Sequence, residues 1–196
     1  MLDESAVEYL NWLETFMSEC EMPDSLRTRV AAGCFAIALS HYHAIVVLLD
    51  SSMFASVFAL VRCEFEAYVR GEWLARCATD AQVVKFSKND EPPSIKEMLR
   101  QLESTPTFTE NALTVIKHDS WGAMCGYNHT GGLHVAHWAT GPVIEPNYTV
   151  EKIKEVLSFV EILGALVVVG LAALANNEGV AQAVLEKVHE RTAVKS

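Results

Sequence analysis

The sequence predicts an all-α protein: a single helical bundle of five or more helices over residues 1–196, one domain, with one long Gly/His-rich loop. Three observations carry this. Long apolar stretches recur with capping residues at their starts. No run alternates apolar and polar residues between hairpin turns, except weakly at Leu133–Trp138. No internal repeat or low-complexity tract divides the chain, and 196 residues suit one core.

The elements follow in order. A first amphipathic helix is expected from about Ser5 to Cys20, ending ahead of Pro23, because the residue before proline avoids the α region. Asp24 or Ser25 can cap a second helix, Leu26–Leu49. Asp50-Ser51-Ser52 reads as turn and cap before a third helix, continuous to about Ala81. Lys88–Pro93 is a loop, and Ser94 with Glu97 has capping-box spacing that opens a short helix. Thr107 with Glu110 repeats that spacing and opens a helix through about Met124. Gly126–Pro146 is expected to be irregular, functional or disordered. Its Tyr127, three histidines and Trp138 are too rich for a solvated linker. Thr149 caps a long apolar helix, and Asn177-Glu178-Gly179 introduces a short amphipathic one. The helices near 52–78 and 150–175 should be central, being the longest and most apolar.

Composition bounds the function. Hydrophobic residues make up 51% and charged residues 20%, which is apolar-rich but not disordered. A net charge of −10 argues against broad, sequence-independent nucleic-acid binding, though a local basic site stays open. The five cysteines, Cys20, Cys34, Cys63, Cys77 and Cys125, form no C-x-x-C pair. Cys63 and Cys77 would stand about 21 Å apart on one helix, beyond disulfide reach. Buried thiols in a reducing cytoplasm are expected, and no signal peptide is read at the start. Val156–Ala175 is long enough to span a bilayer. It carries Glu161, Gly164 and Gly170 and lacks a basic flank or aromatic belt, so a buried core helix is expected and no membrane partner.

One stripe stands out. Arg62, Glu66 and Arg70 lie at i, i+4 and i+8 of the third helix, with Trp73 on the same arc. Guanidiniums set into an apolar helix need partners, so the stripe marks a polar core, a pocket or an interface. The second candidate is Tyr127–His137. A metal site of His129, His134 and His137 has no zinc spacing, and an extended segment would send His134 and His137 to opposite faces. Hydrogen-bonded structural histidines are expected there and at His41 and His43, with no metal and no cofactor. No nucleophile elbow, Walker loop or dinucleotide fingerprint occurs. His118 and Asp119 are adjacent on a helix, so their side chains diverge.

The blocks Ala59–Cys77 and Trp121–Gly132 carry a resemblance. They look like uncharacterised bacterial helical proteins that pair an R-x-x-x-E-x-x-x-R helix with a later histidine–glycine turn. More loosely, these are similar to AbiV-like (abortive infection) and HEPN proteins. The resemblance implies a helical bundle, a homodimer, a role in bacterial defence or as a toxin, and RNA or a nucleotide-like anion as ligand. Many HEPN proteins are metal-independent ribonucleases whose active-site arginine and histidine are separated by four to six intervening residues. Here Gly122, Ala123 and Met124 precede His129 by seven to five residues, so that motif is not carried over and enzymatic activity stays open. An alternative constellation joins Arg62, Glu66 and Arg70 to Asn128 and His129, with Tyr127 and Trp73 as further binding candidates. His129 would be general acid/base, the arginines would hold phosphate, and Glu66 would orient them. The other reading is a non-catalytic interaction module for a protein partner of antitoxin type, in which the stripe is a structural network.

Overall fold

The computed structural model describes residues 4–17, 21–108 and 112–194. Among them are nine helices and no strand: α1 (Glu4–Thr15), α2 (Leu26–Asp50), α3 (Phe54–Arg76), α4 (Asp80–Ser87), α5 (Ile95–Leu102), α6 (Ala112–Asn128), α7 (Gly132–Ala136), α8 (Val150–Leu174) and α9 (Glu178–Val194). The fold is all-α. α2, α3 and α8 pack against one another as the centre. α5 and α6 lie on α3, α9 on α8, α4 on α2, and α1 on α8 and α2.

Glycines let the central helices close up. A Cβ on Gly164 would meet the Tyr42 ring at 2.6 Å, and one on Gly170 would meet Phe35 at 2.6 Å. Gly71 faces the same Phe35 ring, 2.7 Å from where its Cβ would sit. Phe35 and Tyr42 are fully buried, so neither ring has room to yield.

Several boundaries follow the expected caps. Ser25 Oγ accepts from Thr28 N, Ser94 Oγ from Glu97 N and Thr149 Oγ1 from Lys152 N. Other boundaries differ. Ser52 adopts φ 57°, and Met53 stands at the head of α3 without a side-chain cap bond. The expected single helix to Ala81 is two helices. Arg27 Nη1 donates to the carbonyls of Leu74 and Ala78 at 2.6 and 2.7 Å, meeting orphan acceptors at the end of α3. Thr79 and Gln82 then form a capping box for α4. The box at Ser94 is one-sided, because the Glu97 carboxylate turns to Arg100 and Gln101. Cys20 and Glu110 lie outside the described residues.

The Gly/His-rich segment is more ordered than expected. α6 continues through Gly126 to Asn128, and 132–136 form a short helix rather than an extended run. The local bonds from His134 N and Val135 N to Gly131 O, 2.9 and 3.1 Å, replace the partner strand an extended segment would need. Irregular chain begins only after α7.

α2 and α8 are each long and apolar enough to cross a membrane, with 44% and 56% of their most apolar stretch buried within the bundle. Glu161, the acid inside the apolar run of α8, is buried and paired with Arg191 of α9 at 2.7 Å.

Candidate functional site

The stripe forms as its spacing dictates. Arg62 Nε donates to Glu66 Oε1 and Arg70 Nη2 to Glu66 Oε2, both at 2.7 Å. The side chains are 20%, 16% and 31% exposed for Arg62, Glu66 and Arg70. The spacing leaves a polar core, a pocket or an interface open, and the three side chains stand part-buried where they line a pocket. Burial alone would raise the Glu66 carboxyl, yet the paired bonds from Arg70 and Arg62 outweigh it and hold the group below the ordinary carboxylate range.

α6 delivers a complementary stripe. Trp121, Cys125, Asn128 and His129 recur at helical spacing on the side that meets α3. The Arg62 guanidinium lies over the Trp121 ring, 4.7 Å from its centroid. Arg62 Nη1 is 3.0 Å from His129 Nε2 and 3.5 Å from Cys125 Sγ. Arginine can only donate, so His129 Nε2 is the acceptor in this contact. Asn128 Nδ2 donates to Ala59 O at 3.3 Å, fastening α6 to α3.

In front of the stripe lies an open cleft of about 580 Å³, lined by Arg62, Glu66 and Arg70, by Trp121 of α6, and by the chain from Glu91 to Lys96. Pro92 and Pro93 form an apolar wall. Lys96 adds a cation from the first turn of α5. The site therefore combines three cations, two acids (Glu66 and Glu91) and an indole. Such a surface suits an anion joined to a flat or apolar group.

Other candidates from the sequence lie elsewhere. Trp73 is 1% exposed and donates Nε1 to Gln101 Oε1 at 2.8 Å, which makes it a core residue. Tyr127 is buried on Phe58, with its hydroxyl 3.1 Å from His137 Nε2. Asn128 is engaged with α3, and His129 sits beside Arg62 rather than lining the cleft. His134 Nδ1 donates to Tyr127 O and His137 Nδ1 to Asn147 O, both at 2.8 Å, so the three histidines serve three separate contacts. Among the described residues no His, Cys, Asp or Glu group could hold a metal ion.

Sequence reasoning missed Lys96 and the part played by Trp121. The second was readable, because Trp121 stands seven and eight residues before Asn128 and His129. The signal was lost by ending α6 at Met124.

No curated protein and no solved structure matches the chain. A family model matches residues 35–193, which take in the whole cleft, all of α3 and α8, and α2 from Phe35 onward. The chain belongs to that family, DUF6988, a family of unknown function.

Proposed function

We propose that this protein binds RNA or a nucleotide-like anion in the cleft between α3, α5 and α6. The observation that supports this is the convergence of Arg62, Arg70, Lys96 and the Trp121 indole on one open cleft in a chain of net charge −10. Concentrating cations against the overall charge favours a localised anion site over diffuse binding. The resemblance to AbiV-like and HEPN proteins adds the context: a bacterial, cytoplasmic, homodimeric protein acting in defence. α2 and α8 then serve as core helices, consistent with the close fit at Gly164 and Gly170 and the Glu161–Arg191 pair.

RNA cleavage is the enzymatic form of this reading. His129 would act as general acid/base, and the arginines would stabilise charge on the phosphate. His129 Nε2 is held by Arg62, so this role requires an anion that draws the guanidinium away.

A second reading has its own support. Asn128 and the Arg62–His129 contact tie α6 to α3, as expected of a structural clasp in an interaction module for a protein partner.

Titration of the purified chain with single-stranded RNA, followed for binding and for cleavage, separates these readings. Binding that weakens with salt is expected, and His129→Ala should retain the wild-type melting temperature. Absence of RNA affinity and cleavage, with a clearly less stable His129→Ala, would leave only the clasp.

A further inference from the structure

Resting on the binding reading above, we infer that Arg70 and Lys96 receive the ligand's phosphate, and that Glu66 is the internal anion this phosphate displaces. The cations of the cleft are unequally used. Arg62 donates from Nε to Glu66 and from Nη1 to His129, approaches Cys125 and covers Trp121, so two of its nitrogens and one face are engaged. Among the described residues Arg70 donates from one nitrogen, to Glu66 alone, and it is more exposed than Arg62. Lys96 is exposed and, among the described residues, has no hydrogen-bonding or ionic partner. Arg70 on α3 and Lys96 on α5 thus present free donors to one cleft from two elements.

Glu66 holds the position of an anion already. Its two oxygens each accept an arginine N–H at 2.7 Å, the geometry a phosphate would adopt toward the same groups. An entering phosphate must compete with that carboxylate for Arg70 and be repelled by its charge. Arg62, locked to α6, is then a positioning residue that sets the Trp121 wall. Pro92, Pro93 and Trp121 leave an apolar and aromatic surface for the sugar and base of a nucleotide. The ligand class is a phosphate carried on a nucleotide or on the end of single-stranded RNA.

The test is a titration of the full chain with a fluorescent, 5′-phosphorylated oligouridylate over a series of salt concentrations, with inorganic phosphate as competitor. Lys96→Gln and Arg70→Gln should each weaken binding about tenfold and reduce the salt slope by about one. Glu66→Gln should tighten binding several-fold, although it loosens the arginine pair. Thermal melts of all three variants check that they fold. Wild-type affinity retained by both Lys96→Gln and Arg70→Gln would overturn the assignment while the binding reading stands. Weaker binding by a folded Glu66→Gln would overturn the displacement step. Competition by inorganic phosphate alone, with no added affinity from the nucleotide, would overturn the ligand class. A wild-type chain that binds neither probe would overturn the binding reading itself.

Discussion

Glu64 shows at the scale of one residue what the sequence hides. It lies two positions from both Arg62 and Glu66 but on the inward side of α3, with no exposed surface and, among the described residues, no hydrogen-bond partner for either carboxyl oxygen. The Tyr42 hydroxyl is likewise buried without a partner. Burial drives the Glu64 carboxyl well above its ordinary value of 4.5, so the folded chain holds it as a neutral acid. The unfolded chain gives up this proton near 4.5 and the folded chain keeps it. Above that pH the folded state binds more protons, so the stability Glu64 contributes is full below 4.5 and declines as pH rises toward the raised folded value. Glu64→Gln is neutral at every pH and removes that decline. Denaturant melts between about pH 5 and pH 8 should show the variant gaining on the wild type by up to about 1.4 kcal/mol per pH unit. Glu66, Glu72 and the other carboxyls are common to both chains, so parallel pH profiles would refute the neutral buried acid.

Caps and spacing made most elements readable, and tertiary packing decided the rest. Ser25, Ser94 and Thr149 announce their helices because each offers an oxygen to an N–H with no intrahelical partner. The break after α3 was hidden, since its cause is Arg27, more than forty residues away, reaching the carbonyls of Leu74 and Ala78. The end of α6 was misplaced because Gly126 was read as a stop, whereas packing on α3 carries the helix through to Asn128. The cleft was half legible for the same reason. Arg62, Glu66 and Arg70 share one helix and their spacing states their contact, but Lys96 joins them only through the packing of α5 on α3. Gly164 offers the test at this scale. Its Cβ would fall 2.6 Å from the Tyr42 ring, closer than real contacts allow, so α2 and α8 would have to separate. Overpacking of this kind costs about 1–3 kcal/mol, despite alanine's better helix propensity. Gly164→Ala should therefore lower the melting temperature, and Gly33→Ala, where nothing lies within 4 Å, should not. Equal melting of the two variants would contradict this packing.

For the whole molecule, the question is what covers the apolar surface left outside the bundle. α2 and α8 bury only about half of their most apolar stretches. Ile37 and Val47 on α2 are 54% and 52% exposed, and Val143 and Ile144 after α7 are more exposed still. A bilayer or a second copy of the chain would each remove such surface from water. The Glu161–Arg191 pair argues against lipid, since it fastens α8 to a polar C-terminal helix along the same length. A charge of −10 also favours contact with water over lipid for the remaining surface. The expected state is a homodimer in detergent-free buffer, with a light-scattering mass twice the 21.6 kDa of the chain. Ile37→Glu with Val47→Glu should shift that mass toward the monomer while the chain stays folded and helical by circular dichroism, because neither side chain belongs to the core. A wild-type monomer at micromolar concentration would defeat the dimer, and a chain recovered only with detergent would favour lipid as the cover.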